Sequence, residues 1–155
     1  MKLIVFSDSH GDVAAMEQCL RRERPDHILH LGDCLRDAEA LETWRIPMTT
    51  VPGNCDWARD PSILTPEFEG VRIYMTHGHL HGVKTHYQRL LYAALEAEAQ
   101  IALFGHTHVP ECFYQRGLWV MNPGPCQKYG TYGIITLADG EITCRLQSVN
   151  QKGVS

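Results

Sequence analysis

The sequence predicts an α/β protein with two β-sheets, and three observations carry that prediction. The first half of the chain alternates short apolar runs with amphipathic stretches of helical period, the pattern of a parallel or mixed sheet. After His108 the chain reads almost entirely as short strands and turns, a meander that would pack as a second sheet on the first. Finally, one apolar run after another ends in a polar residue beside a glycine, and open α/β sheets place their chemistry at such strand ends.

Taken in order, Lys2 to Phe6 is a β-rich run that stops at the polar turn Ser7-Asp8-Ser9-His10-Gly11. Asp12 is an N-cap candidate for a helix through Arg24, with Val13, Met16 and Leu20 near the helical period and Pro25 ending it. A second strand, His27 to Leu31, runs into Gly32-Asp33-Cys34, where the glycine lets the backbone turn and present Asp33 at the same edge as Asp8. A short helix over Arg36 to Thr43 follows. Pro47 to Val51 is the third strand, closed by Pro52-Gly53-Asn54-Cys55-Asp56. Glu69-Gly70 predicts a hairpin turn, whose second strand, Val71 to Thr76, delivers His77-Gly78-His79. A helix over Thr85 to Glu98 presents Leu90, Leu91, Ala94 and Leu95 on one face. The run Ile101 to Phe104 then ends in Gly105-His106-Thr107-His108. Beyond it come strands at Cys112–Gln115, Leu118–Met121, Gly133–Ala138 and Glu141–Val149, the rigid Asn122-Pro123-Gly124-Pro125 segment, and a frayed tail over Asn150 to Ser155.

Bulk properties narrow the function classes. The 155 residues, 44% hydrophobic and 21% charged, fit one domain spanning 1–155. A net charge of -4 without any Lys/Arg run gives no indication of a high-affinity nucleic-acid surface. The apolar run after Met1-Lys2 is too short for a signal-peptide core or a membrane span, so the expectation is a cytoplasmic protein with no membrane partner. Six cysteines without a Cys-x-x-Cys pair read as reduced thiols, mostly buried.

In an extended chain positions i and i+2 point the same way, so His106 and His108 can both face one point beyond their strand, as can Asp8 and His10. A histidine pair alone is equally well an exposed polar loop; its company at the other strand ends favours a shared site. Collected, Asp8, His10, Asp33, Asn54, His77, His106 and His108 are two carboxylates, one amide and four imidazoles. Oxygen and nitrogen donors without thiolate suit Mn, Fe, Zn or similar divalent ions, and seven donors are too many for one ion. Two ions sharing a bridging carboxylate use them all. Such pairs stand about 3.5 to 4 Å apart, clamp the oxygens of a phosphoryl transfer and acidify a bound water. Two divalent ions less two aspartates and a hydroxide leave about +1, which a monoanionic phosphodiester would neutralise.

Asp8-x-His10, Gly32-Asp33, Gly53-Asn54-x-Asp56, His77-Gly78-His79 and Gly105-His106-Thr107-His108 together resemble the motif set of the calcineurin-like metallophosphoesterases, over residues 1 to 138. The compact size and Asn122-Pro123-Gly124 are most similar to the small YfcE-type phosphodiesterases. The resemblance implies a four-layer α/β/β/α sandwich of two mixed sheets flanked by helices. It implies one ion held by Asp8, His10, Asp33 and His108, and a second held by Asp33, Asn54, His77 and His106, with Asp33 bridging. Mn2+ is the expected metal, with Fe, Zn or Ni as others the set admits. A small phosphodiester is the expected substrate, and the chain could form a homo-oligomer. The same resemblance extends to the retromer subunit that keeps this fold without catalysis, so a non-catalytic protein-binding scaffold is the alternative.

One position departs from the broader family. Nucleases among these relatives follow the motif asparagine with a histidine that acts as general acid, whereas this chain has Cys55. Without that acid, good leaving groups should be preferred, aryl esters above all. His79 is the candidate catalytic substitute, donating a proton or holding a phosphate oxygen, against a reading as a solvent histidine. His81 and His86 are expected at the surface and His27 and His30 in structural roles, with His30 able to orient Asp33. Asp56 either caps the following turn or orients a ligand; Trp57 either flanks the substrate mouth or packs in the core. Pro125 replaces the small hydroxyl residue common in relatives.

Overall fold

A computed structural model describes residues 1–56 and 61–150. Trp57 and the tail from residue 151 lie outside the described residues. Among the described residues, eleven strands and three α-helices follow one another as β1 (Lys2–Phe6), α1 (Val13–Glu23), β2 (His27–His30), α2 (Leu35–Glu39), β3 (Met48–Thr50), β4 (Ile63–Leu64), β5 (Glu67–Phe68), β6 (Val71–Thr76), α3 (Gln88–Glu96), β7 (Ile101–Leu103), β8 (Glu111–Gln115), β9 (Leu118–Asn122), β10 (Thr131–Ala138) and β11 (Glu141–Ser148).

The strands form two mixed sheets. The first has the order β11-β10-β1-β2-β3, with β1, β2 and β3 parallel and β10 antiparallel to β1. The second has the order β4-β6-β7-β9-β8, with β6, β7 and β9 parallel and β5 paired to β6 off that path. Alternation along β1 shows how the layers stack. Leu3 and Val5 face the second sheet among Ile73, Met75, Ile101, Leu103 and Met121, whereas Ile4 and Phe6 face Met16 and Leu20 of α1. A strand buried on both faces reads as an unbroken apolar run. On the far side, Tyr74, Ala102, Phe104 and Val120 pack against Leu90 and Ala94 of α3. The result is the four-layer α/β/β/α sandwich.

The C-terminal half is not the separate meander that its run of strands suggested. Strands β8 and β9 complete the second sheet, and the chain then crosses through Asn122-Pro123-Gly124-Pro125 so that β10 and β11 extend the first. The bridge between Ser7 and Pro125, with Cys126 N–H donating to Ser7 O at 3.0 Å, fixes that crossing beside the end of β1. Helix α3 is shorter than its apolar period. Turns closed by Thr85 and His86 onto Gly82 O occupy its expected start, and Glu98, with φ of 59°, lies beyond its end. The expected helix over Arg36 to Thr43 splits into α2 and a 3-10 turn at Glu42–Trp44.

Candidate metal centre

The parallel strands of both sheets end at one edge, and each hands over to a loop that carries a polar residue. Asp8 follows β1, Asp33 follows β2, Asn54 follows β3, His77 follows β6 and His106 follows β7. Asp8, His10, Asp33 and His108 each present one donor atom within 4.8 Å of the others, and Asp33, His77 and His106 form a second such group. Asp33 belongs to both. Asn54 stands exposed on its turn, next to Cys55, whose backbone N–H donates to Asp33 Oδ1 at 3.0 Å.

The two histidines after β7 do not face one point. His106 lies against His77 with ring centroids 5.1 Å apart, and His108 against His10 at 5.4 Å. Strand alternation fails because the loops are not extended: Asp8, His10, Asp33, Cys34, His106 and His108 all have positive φ, between 43° and 100°. Left-handed backbone at non-glycine residues is strained and persists only where surrounding contacts over-determine it.

Those contacts account for the carboxylates in detail. Ser7 Oγ–H and His106 N–H both donate to Asp8 Oδ2, at 2.6 and 3.2 Å, leaving Asp8 Oδ1 buried without a hydrogen bond, 3.2 Å from His108 Nε2. His77 Nδ1–H donates to Leu31 O at 2.9 Å, so in the neutral ring the Nε2 lone pair points away from the backbone. That nitrogen is 3.2 Å from Asp33 Oδ2 and 3.9 Å from Asp8 Oδ1, and it too is buried without a hydrogen bond. Three acceptor atoms turned on one another in a buried site repel unless a cation lies among them. The donor set therefore fits divalent ions.

The loops leave no space to spare. A Cβ on Gly53 would collide with Asp33 Oδ1, and one on Gly105 with Ser7 Oγ and Asp8 Oδ2, so glycine is required for backbone to pass this close to the carboxylates.

Several supporting residues emerge only in three dimensions. Asp56 receives four backbone N–H groups, from Asp33, Cys34, Leu35 and Gly53, and so ties the β2 loop to the β3 loop. Burial pushes its pKa up, but these donors outweigh that and hold it below the ordinary value. His30 is fully buried, accepting Gly32 N–H at Nδ1 (3.1 Å), which leaves Nε2–H facing Ser9 Oγ at 3.2 Å. Ser9 in turn donates to Asp37 Oδ2 at 2.8 Å. Burial depresses the His30 pKa to about 4, keeping the ring neutral in this chain. Asn122, also fully buried, donates to Gly105 O and Thr107 Oγ1 and accepts Gly124 N–H, bracing the His106 loop. Asp37 and Ser9 carried no sequence signal; Asn122 had only its place in the Asn-Pro-Gly run.

His79 is partly buried beside the second group, its centroid 5.6 Å from that of His77 and 6.1 Å from that of His106. Burial, then the neighbouring His77, lowers its pKa, as burial does for His106. His86 is exposed and His27 pairs with Thr49, but His81 is buried, contrary to expectation. The 3-10 turn His79–His81, set between left-handed Gly78 and Gly82, folds its ring back onto Tyr74 Oη at 2.9 Å. Of the cysteines, 19, 126 and 144 are buried, 34 and 112 are half-buried, and Cys55 is exposed, its thiol pKa raised first by the Asp33 carboxylate. Among the described residues no helix is long and apolar enough to cross a membrane.

Carboxylates and imidazoles thus converge at the strand ends of a four-layer α/β sandwich. Residues 1–143 match the calcineurin-like phosphoesterase superfamily domain, and the chain belongs to that family. Among its relatives, the probable metallophosphoesterase YsnB of Bacillus subtilis is 33% identical over 94% of this chain and 89% of its own length. The phosphodiesterase YfcE of Escherichia coli K12 is 28% identical over 80% and 78%. The crystal structure of a conserved Streptococcus pneumoniae protein, described as a predicted phosphoesterase, superposes with a TM-score of 0.81 at 30% identity, over 96% of this chain and 89% of that one. The fold alone is shared with Vps29 of Entamoeba histolytica, in a structure complexed with zinc, at 18% identity and a TM-score of 0.77 over 97% and 100% of the chains.

Proposed function

We propose that the chain is a phosphodiesterase that uses two divalent ions, Mn2+ foremost, to hydrolyse activated, aryl-like phosphodiesters. The observation that carries this reading is Asp33, shared between two donor groups, with the orphaned Asp8 Oδ1 and His77 Nε2 turned towards the space between them. Asp8, His10, Asp33 and His108 would hold one ion; Asp33, Asn54, His77 and His106 the other. When bound, such a pair supplies Lewis-acid charge and an activated water.

The chain's own residues do the rest. Ser7 and the His106 amide hold one oxygen of Asp8, and the Cys55 amide holds one oxygen of Asp33, so each carboxylate offers its other oxygen inward. Leu31 O fixes the tautomer and direction of His77. His79, partly buried beside the second group, would donate a hydrogen bond to a phosphate oxygen or a proton to the leaving group. Cys55, its thiol pKa raised, is a poor acid at the position where nuclease-like relatives carry histidine. Among the described residues of that turn, Cys55 takes the histidine's place as a weaker acid, which supports the preference for good leaving groups.

The testing experiment is hydrolysis of bis(p-nitrophenyl) phosphate by chelator-stripped protein reloaded with Mn or Mg. Turnover should appear with Mn, exceed that with Mg because imidazole donors favour a transition ion, and vanish with EDTA. Absence of turnover on any diester with Mn bound would favour the scaffold reading.

A further inference from the structure

Beside His10 the surface opens into a cleft of about 590 Å³, whose far wall is the segment between β9 and β10: Pro125, Gln127, Lys128 and Tyr129. That space falls in the range of small-molecule sites. Tyr129 is 76% exposed, and Lys128 Nζ stands 5.3 Å from its ring centroid. The wall is braced. Lys128 N–H donates to Asp12 Oδ2 at 2.9 Å, Gly130 N–H to Gln127 O at 2.8 Å and Thr131 N–H to Pro125 O at 3.1 Å. Asp12 spends its other oxygen capping α1 through Ala15 N–H. Among the described residues, then, the Lys128 ammonium makes no salt bridge.

An exposed aromatic ring with a cation over one face can stack its other face on a planar ring, while the cation pairs with an anionic group attached to that ring. Resting on the phosphodiesterase reading above, we infer that this cleft is the substrate-recognition subsite for a nucleotide-like group. The base would stack on Tyr129, and Lys128 would pair with a phosphate beyond the one held at the Asp/His centre. His10 joins the two, since it is both a wall of the cleft and a member of the first donor group. Pro125 fits this role: it shapes the wall and offers no hydroxyl to a sugar.

The test is calorimetric binding of product-like probes to the Mn-loaded protein. Thymidine monophosphate should bind about tenfold more tightly than deoxyribose phosphate, the stacking contribution of one base. Tyr129→Ala should erase that preference and Tyr129→Phe keep it; Tyr129 faces solvent, so the fold is not at risk. Lys128→Met should remove a gain of up to about fivefold that a second phosphate on the sugar gives the unaltered protein. Equal binding of the base-bearing and base-free probes, or a preference that survives Tyr129→Ala, would overturn the subsite. Turnover of bis(p-nitrophenyl) phosphate by the unaltered protein tests the phosphodiesterase reading separately, so the two can fail independently.

Discussion

Replacing Asp56 by asparagine should loosen the centre without touching any proposed ligand. Asp56 Oδ2 accepts the N–H groups of Asp33 and Gly53 at 2.9 and 2.8 Å, and Oδ1 those of Leu35 and Cys34 at 2.9 and 3.3 Å. An amide keeps an acceptor for only one of these pairs and turns an NH2 group on the other. Hydrogen bonds to a charged acceptor are worth about 1.5–3 kcal/mol each, less at a half-buried carboxylate, so the loss should total about 2–3 kcal/mol. For a chain of this size that lowers Tm by about 5–10 °C. The melt is run in EDTA, so that metal linkage does not enter the comparison. In a parallel metal titration both ions should bind more weakly, since the freed amides position Asp33 and the Asn54 turn. The folded pKa of Asp56 is depressed, so its stabilisation is complete above about pH 4 and is lost as pH falls through the lowered value. The Tm gap should therefore close in acid. A shift under about 2 °C with metal affinity unchanged would refute the reasoning.

The buried His30 makes a second pH signature. Its folded pKa, about 4, lies below the usual 6.5, so below about pH 6.5 the unfolded chain binds a proton that the folded chain refuses. Stability should fall by about 2 kcal/mol between neutrality and about pH 5, and His30→Gln should flatten that part of a urea-midpoint profile; identical slopes would remove His30 as the cause. Cys55 tests the leaving-group argument. Rates should drop steeply from nitrophenyl through phenyl to alkyl diesters, Cys55→His should flatten the trend through general-acid help worth about 100-fold on poor leaving groups, and Cys55→Ser should change little. Alkyl diesters cleaved as fast as aryl ones by the unaltered protein would mean that an acid other than Cys55 is present, with His79 the first to replace.

The ends of β1, β2, β6 and β7 were legible because each combines a largely buried apolar run with a nearby glycine, and both marks are local; β3, half-buried Met-Thr-Thr, was marked by its Pro-Gly turn. Gly53 and Gly105 are instances: each lets backbone pass against a carboxylate. What the sequence hid is non-local or short. Destination of the last two strands depends on the crossing at Pro125, pinned by Ser7 more than a hundred residues earlier, and a run of alternating strands does not encode it. Strand β4, only Ile63 and Leu64, is too brief to show a period. Alternation along an extended strand would point His106 and His108 at one spot, whereas left-handed φ sends them to different neighbours. Asp56 accepts four amides from two loops, a link that neither reading of it in the sequence named. His81 looked like one more surface histidine until the turn between two glycines folded it onto Tyr74.

Metal stoichiometry of the loaded protein, measured by mass spectrometry alongside Asp33→Ala and Asp8→Ala, tests the central claim most directly. Two divalent ions per chain are expected, with loss of both in Asp33→Ala because that carboxylate belongs to both donor groups, and weakening chiefly of one in Asp8→Ala. A single ion per fully loaded chain, or an Asp33→Ala protein that retains one ion at undiminished affinity, would contradict it.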